Sequence, residues 1–258
     1  MIIAVAGSLG AGKSQWIRQQ IAQIDNQPLG YFSPQTDSVP IDTIFLKSEY
    51  PQLQIYQTGQ EVELIKSQVD RTVTYIEIPW YLNLSEIEPL ITALGCHRVG
   101  ICSEDGKNSE LKKWADEIVF LGAATISYPK MSLDIYRGIL TGEILDFDSI
   151  ATFWLELIQG AYGEVIRAKA IFDFADGQSY HGDFSSGKTE LKFKALNLPP
   201  SLKDKADRFS GFEIVGKNLD KQEIAQTIRD CCISSEAIAY YQQQMKNSLA
   251  NQTEVEVV

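Results

Sequence analysis

Near the start of the chain stands Gly7-Ser8-Leu9-Gly10-Ala11-Gly12-Lys13-Ser14, preceded by the apolar run Ile2-Ile3-Ala4-Val5-Ala6. The octet matches the pattern G-x-x-x-x-G-K-[ST], and its flanks supply the required context, a buried strand before it and an amphipathic helix after it. Such a loop cradles phosphate. Glycines at 7, 10 and 12 let the backbone reach left-handed conformations and come close to a ligand, so that successive N–H groups converge on phosphate oxygens. The helix opening near Lys13 adds the positive end of its dipole. In this pattern Lys13 reaches the β- and γ-phosphates and the Ser14 hydroxyl faces Mg²⁺. The cofactor set expected from Gly7, Ser8, Leu9, Gly10, Ala11, Gly12, Lys13 and Ser14 is therefore GTP or ATP with Mg²⁺.

Outward from the loop, hydrophobic spacing gives an α/β reading. Ile17, Ile21 and Ile24 share one helical face. Short strands are expected at Tyr31-Phe32, Thr43-Ile44-Phe45-Leu46 and Leu53-Gln54-Ile55-Tyr56, with a helix from Val62 to Val69. Thr72-Val73-Thr74-Tyr75-Ile76-Glu77-Ile78 is β-branched and apolar and reads as a central strand. Near its end stands a carboxylate, Glu77, where an acid that orients the metal's water is expected. Further elements alternate: a helix near Ser85 to Leu94, a strand from His97 to Cys102, a helix from Ser109 to Ala115 and a strand from Glu117 to Leu121. That alternation implies a doubly wound, mostly parallel sheet.

The remainder reads as a smaller α+β C-terminal domain. Periodicity weakens from Thr125 to Phe147, then Ile150, Phe153, Trp154, Leu157 and Ile158 mark a helix that stops at Gly160. The expected division is 1–145 for the phosphate-binding domain, 146–162 for a linker helix, 163–235 for the α+β domain, and 236–258 for a final helix and acidic tail. Alternation places Ile166, Ala168, Ala170, Phe172 and Phe174 on one side of a strand, with Arg167, Lys169 and Asp173 on the other. Asp176-Gly177 signals a hairpin into Ser179 to Phe184, and Glu190 to Ala195 and Gly211 to Lys217 supply further strands. Asp220 with Glu223 has the spacing of a capping box. Ile238, Tyr241, Met245 and Leu249 form a stripe suited to a protein partner.

Composition narrows the function classes. The 258 residues include 34 acidic and 23 basic ones, a formal charge of -11. Such a surface repels nucleic acid. No apolar run reaches the ~18 residues needed to span a bilayer, and Met1 leads directly into a strand, so a cytoplasmic protein is expected. Four cysteines, Cys96, Cys102, Cys231 and Cys232, show no C-x-x-C spacing. His97 and His181 read as structural, Cys231 and Cys232 as small buried apolar groups, and Trp80 as packing that could also cover a base. Asp37 and Asp42 join Glu77 as carboxylates that could face the metal.

The glycine-rich octet, Glu77, Val165-Ile166-Arg167-Ala168-Lys169-Ala170 and Gly211-Phe212-Glu213-Ile214-Val215-Gly216-Lys217-Asn218-Leu219-Asp220 together resemble the CobW-type P-loop GTPases across both domains. The resemblance implies an N-terminal domain binding GTP and Mg²⁺, an α+β C-terminal domain, and a metal-chaperone or insertase role. Asp42 stands where that family has an acid after the second strand. Three family motifs are missing. Gln60-Glu61-Val62 follows Gly59 in place of the Cys-x-Cys-Cys metal motif, so the thiolates that select Zn²⁺ or Co²⁺ are absent. Ile78-Pro79-Trp80 replaces the switch sequence after Glu77, and Pro79 has no N–H to sense a phosphate. Gly122-Ala123-Ala124-Thr125 replaces Asn-Lys-x-Asp, removing the carboxylate that pairs with guanine. The expectation is a nucleotide-binding protein, at most a slow NTPase with Lys13 and Glu77 as its catalytic groups, working as an accessory or assembly factor. The alternative is a degenerate P-loop scaffold that holds a protein partner through its C-terminal domain without hydrolysis.

Overall fold

The computed structural model describes residues 1–67, 71–102, 109–121, 133–186, 193–200, 207–234, 236–238 and 240. The chain divides into two compact units, Met1–Met131 and Ser132–Val258. Two expectations, the Gly122–Thr125 segment and the Tyr241, Met245, Leu249 stripe, lie outside the described residues.

The first unit alternates strands and helices: β1 (Ile2–Gly7), α1 (Lys13–Ile21), β2 (Leu29–Phe32), α2 (Ile41–Glu49), β3 (Gln54–Tyr56), α3 (Glu61–Ser67), β4 (Val73–Glu77), α4 (Leu84–Ala93), β5 (His97–Cys102), α5 (Ser109–Trp114) and β6 (Glu117–Phe120). Its six strands are parallel in the order β3-β2-β4-β1-β5-β6. Both faces are covered, which is why Ile2–Ala6 of β1 and all of β4 are buried rather than alternating between buried and exposed. Trp16, Ile17 and Ile21 of α1 and Leu46 of α2 pack on Ile3, Val5, Tyr31, Tyr75 and Ile101. On the opposite face Leu64, Ile87, Ile91 and Leu111, from α3, α4 and α5, pack on Ile2, Ala4, Phe32, Ile76 and Cys102. The doubly wound reading of this half holds.

One element differs. Thr43-Ile44-Phe45-Leu46, expected as a strand, lies inside α2. Its β-branched content misled, because the buried set Ile41, Phe45, Leu46 and Ser48 follows helical spacing once Ile41 is included. The Ile44 N–H donates to the Pro40 carbonyl at 3.0 Å, closing the first turn.

The second unit contains β7 (Asp134–Ile139), α6 (Phe147–Gln159), β8 (Glu164–Asp173), β9 (Ser179–Ser185), β10 (Phe193–Ala195), β11 (Gly211–Lys217) and α7 (Lys221–Asp230). The sheet order is β10-β9-β8-β11-β7, antiparallel at every pairing. Residues Phe153, Trp154 and Leu157 of α6 and Ile224 and Ile228 of α7 bury against Ala168, Ala170, Phe172 and Ile214. Both helices start on acids: Asp146 accepts from the Ser149 N–H at 2.8 Å and Asp220 from the Glu223 N–H at 2.9 Å. Gly160, at φ 91°, closes α6 in the left-handed conformation.

The join between units falls at 131/132, upstream of the expected boundary at 145. The stretch 134–139 reads weakly because Arg137 and Gly138 interrupt it, yet each has a sheet partner. Arg137 Nε donates to Glu213 at 2.7 Å. At Gly138 the Phe212 ring occupies the space a Cβ would fill. Helix α6 is likewise part of the second core, rather than a linker.

Candidate functional site

Strands β1 and β4 are neighbours, with Val5 opposite Glu77. The loop leaving β1 and the acid ending β4 therefore meet at the carboxyl edge of the sheet, where open α/β sheets bind ligands. Gly10 and Gly12 have φ of 73° and 93°, the left-handed turns expected of the loop. Gly7 does not: its backbone is ordinary, and its small size is needed because a Cβ would stand 2.8 Å from the Ile101 carbonyl on β5. Gly12 is the N-cap of α1 and offers no side-chain acceptor, so the first N–H groups of that helix keep their direction along its axis. Within the loop the Ala11 N–H donates to the Ser8 carbonyl at 3.2 Å. Lys13, only 8% exposed, lies back along the loop and donates from Nζ to the carbonyls of Gly7 at 3.1 Å and Ser8 at 3.5 Å.

Ser14 is where the acids gather. Its hydroxyl donates to Glu77 Oε1 at 2.8 Å, with Asp42 Oδ1 at 3.4 Å. Asp42 comes from the first turn of α2, so the misread helix is the element that carries this carboxylate to the loop. Glu77 is 6% exposed. Its second oxygen, Oε2, accepts from the Tyr31 hydroxyl at 3.0 Å, and its backbone carbonyl accepts from Ser33 Oγ at 3.1 Å. Burial first, then the charges of Glu77 and Asp42, push the Tyr31 phenol well above its ordinary pKa, so it remains a hydrogen-bond donor. The sequence alone gave no sign of this tyrosine's role. It follows from β2 lying beside β4, with Tyr31 opposite Tyr75.

The other candidates fall elsewhere. Asp37 accepts from Thr58 Oγ1 at 2.5 Å in the loops beyond β2 and β3. After Gly59, at φ 94°, the side chains turn back on their own backbone: Gln60 Oε1 accepts from the Gln57 N–H at 2.8 Å and Glu61 Oε1 from the Gly59 N–H at 3.1 Å. Among the described residues no group of three or more His, Cys, Asp or Glu side chains is placed to hold a metal ion. Trp80 stands edge-on to Tyr81, ring centres 5.9 Å apart. Arg18, the arginine nearest the loop in sequence, pairs with Glu49 through Nε at 2.6 Å and through its terminal nitrogen at 2.9 Å, over the Phe45 ring. His97 contacts Glu117 at 3.3 Å on an exposed strand start. His181 is buried in β9. Burial pushes the Cys231 thiol up to about 11 and that of Cys232 in the same direction, which disfavours thiolate at neutral pH.

The donor chemistry around Ser14 suits one class of metal. A hydroxyl and two carboxylates are hard oxygen donors, matched to Mg²⁺ rather than to a thiolate-seeking ion. No sulfur donor stands among these groups.

No protein-family model matches the chain, and neither does any curated protein. Among solved structures the chain is similar to the Zn(II)-bound YjiA GTPase from E. coli, at 9% identity and a TM-score of 0.33, covering 89% of this chain and 98% of that one. A Zn(II)-bound triple mutant of the same GTPase matches at 10% identity, with the same TM-score of 0.33 and the same 89% and 98% coverage. Likeness this shallow assigns neither activity nor ligand to the present chain. No described helix is long and apolar enough to cross a membrane.

Proposed function

We propose that the chain binds a nucleoside triphosphate, GTP or ATP, together with Mg²⁺ through Gly7 to Ser14, Asp42 and Glu77. The observation that carries this reading is the meeting of the Ser14 hydroxyl with Glu77 at 2.8 Å and Asp42 at 3.4 Å, in the first turn of a helix whose N-terminus has no side-chain cap. The backbone N–H groups from Gly10 to Ser14 would take the phosphate oxygens. Lys13 would exchange its loop carbonyls for the β- and γ-phosphates, a charge-assisted contact stronger than the one it gives up. Ser14 would face the metal directly, with Glu77 and Asp42 holding its waters. A Mg²⁺ ion held there would supply charge neutralisation on the phosphates.

Turnover by the isolated chain is expected to be slow, below ~1 s⁻¹, because a phosphate loop and Mg²⁺ without an arginine finger hydrolyse slowly. Arg18 is held by Glu49 on α2. Glu77 would orient the metal's water at most, and Pro79 brings no N–H toward a γ-phosphate. An accessory or assembly role of CobW type fits such a ligand-gated protein better than a metabolic enzyme. The second unit would then meet a protein partner. One row of its sheet runs Arg137, Glu213, Lys169, Asp183 across four strands, a mixed-charge pattern suited to a protein surface rather than to a polyanion.

The test is thermal stability with GTP, ATP, GDP and ADP, each with and without Mg²⁺. At ligand 100-fold above Kd the wild type should gain about 2.7 kcal/mol, and Lys13→Ala should lose most of that gain. Absence of a shift with every nucleotide at millimolar concentration overturns the reading.

A further inference from the structure

Glu77 is gripped from the neighbouring strand at two points. Ser33 holds its backbone carbonyl at 3.1 Å, and the Tyr31 hydroxyl holds side-chain Oε2 at 3.0 Å, leaving Oε1 toward Ser14 at 2.8 Å. Tyr31 is fully buried, packed among Val5, Ile17, Leu29 and Tyr75. It lies on the same face of the sheet as Glu77, since Tyr31 is opposite Tyr75 and side chains repeat every second residue. The phenol therefore reaches along the strands to the carboxylate with little rotational freedom.

A carboxylate oxygen held by a fixed, buried donor has one lone pair committed and its approach narrowed, so the other oxygen is the easier one for a metal ion or its water to reach. This matters for a divalent ion. Mg²⁺ demands near-octahedral geometry and takes carboxylates through single oxygens while keeping several waters. Ca²⁺ gathers six to eight oxygens and readily uses both atoms of a carboxylate. We propose that Tyr31 is a positioning residue that turns Glu77 away from two-oxygen contact with the ion, leaving Oε1 toward a metal-bound water, and thereby makes the site selective for Mg²⁺, which keeps its waters, over Ca²⁺. The proposal rests on the nucleotide reading above and specifies which residue sets its metal preference. Groups behind a metal's direct contacts typically change metal affinity about 10- to 100-fold when removed.

The experiment follows thermal stability of the full chain with a non-hydrolysable GTP or ATP analogue, whichever stabilises the wild type more, while Mg²⁺ or Ca²⁺ is titrated from a chelated start. The wild type should reach half of its metal-dependent shift at lower Mg²⁺ than Ca²⁺. In Tyr31→Phe the Mg²⁺ requirement should rise at least about tenfold while the Ca²⁺ requirement stays or falls. The shift produced by analogue in chelator should persist. A Tyr31→Phe protein that binds the analogue with an unchanged Mg²⁺ requirement overturns the positioning role and leaves the nucleotide reading intact. A wild type that responds to no nucleotide overturns both. Should Tyr31→Phe fail to fold, the wild type still decides, because stabilisation by Ca²⁺ at the same or lower concentration than Mg²⁺ contradicts a Glu77 turned away from two-oxygen contact.

Discussion

Glu77 in the parallel sheet and Asp173 in the antiparallel sheet are both buried acids at the carboxyl end of a strand, and they are held in different ways. Glu77 takes hydroxyl donors, Ser14 at 2.8 Å and Tyr31 at 3.0 Å, and a second acid, Asp42, shares Ser14. Asp173, fully buried, takes the Ser179 hydroxyl and the Arg208 guanidinium, whose Nε lies at 2.8 Å. Arg208 also donates to the carbonyls of Pro199 at 3.0 Å and Gly177 at 2.8 Å, tying two loops to the end of β8. A serine hydroxyl can turn from a carboxylate to a metal ion at small cost. The guanidinium cannot leave without stranding a buried charge. One end of each sheet thus concentrates polar groups, in the first unit around the proposed place for a ligand and in the second around a brace.

Substitutions should separate these two arrangements by what they damage. Arg208→Ala should cost about 3 kcal/mol in urea unfolding, the low end for a broken buried pair because the arginine is partly exposed. Adding Asp173→Asn should recover part of that loss by removing the stranded charge, and failure to recover any would argue against a charge-based brace. Ser14→Ala should behave in the opposite way. Without nucleotide it removes one hydroxyl and should cost only about 1 kcal/mol. With nucleotide present, the metal-dependent part of the stabilisation should disappear. A Ser14→Ala protein that is crippled without ligand, or that keeps its Mg²⁺ response, would erase the contrast.

How much of this was legible beforehand depended on how local each signal was. The glycine spacing of 7–14, the capping acid Asp220 and the alternation in β8 are written within a few residues, and local patterns of that kind survive into the fold. The convergence on Ser14 is not local. It requires β2 to sit beside β4 and α2 to bring Asp42 back over the loop, and strand order leaves no mark on any single strand. Glu77 was marked out by its strand, but nothing local separated Asp42 from Asp37 apart from the family resemblance, yet Asp42 joins Glu77 at Ser14 and Asp37 bonds Thr58. Strand β7 was missed for a related reason. An Arg and a Gly that break alternation in one strand are explained only by Glu213 and Phe212 on its partner.

The smallest expected effect sets the brace acid Asp173 against Asp183 on the adjoining strand β9, and it turns on the sign of a pH dependence. Burial raises the Asp173 carboxyl above its ordinary value, overcoming the opposite pulls of Ser179 and Arg208. The folded chain therefore holds that proton more tightly than the unfolded chain. Its contribution to stability is full below the unfolded value of about 3.9 and is lost as pH rises through the higher folded value. For Asp183 burial pushes the same way, but the Arg167 guanidinium, followed by Lys169 and His181, outweighs it and holds the carboxyl below its ordinary value. That contribution is full above about 3.9 and is lost as pH falls through the lower folded value. Urea midpoints from pH 3 to pH 7 test both through differences from the wild type. The stability of wild type relative to Asp173→Asn should decline as pH rises above about 4, whereas relative to Asp183→Asn it should decline as pH falls below about 4. If both differences run in the same direction, the enclosed acid and the half-exposed one are held alike, and Asp173 loses its standing as the counterpart of Glu77.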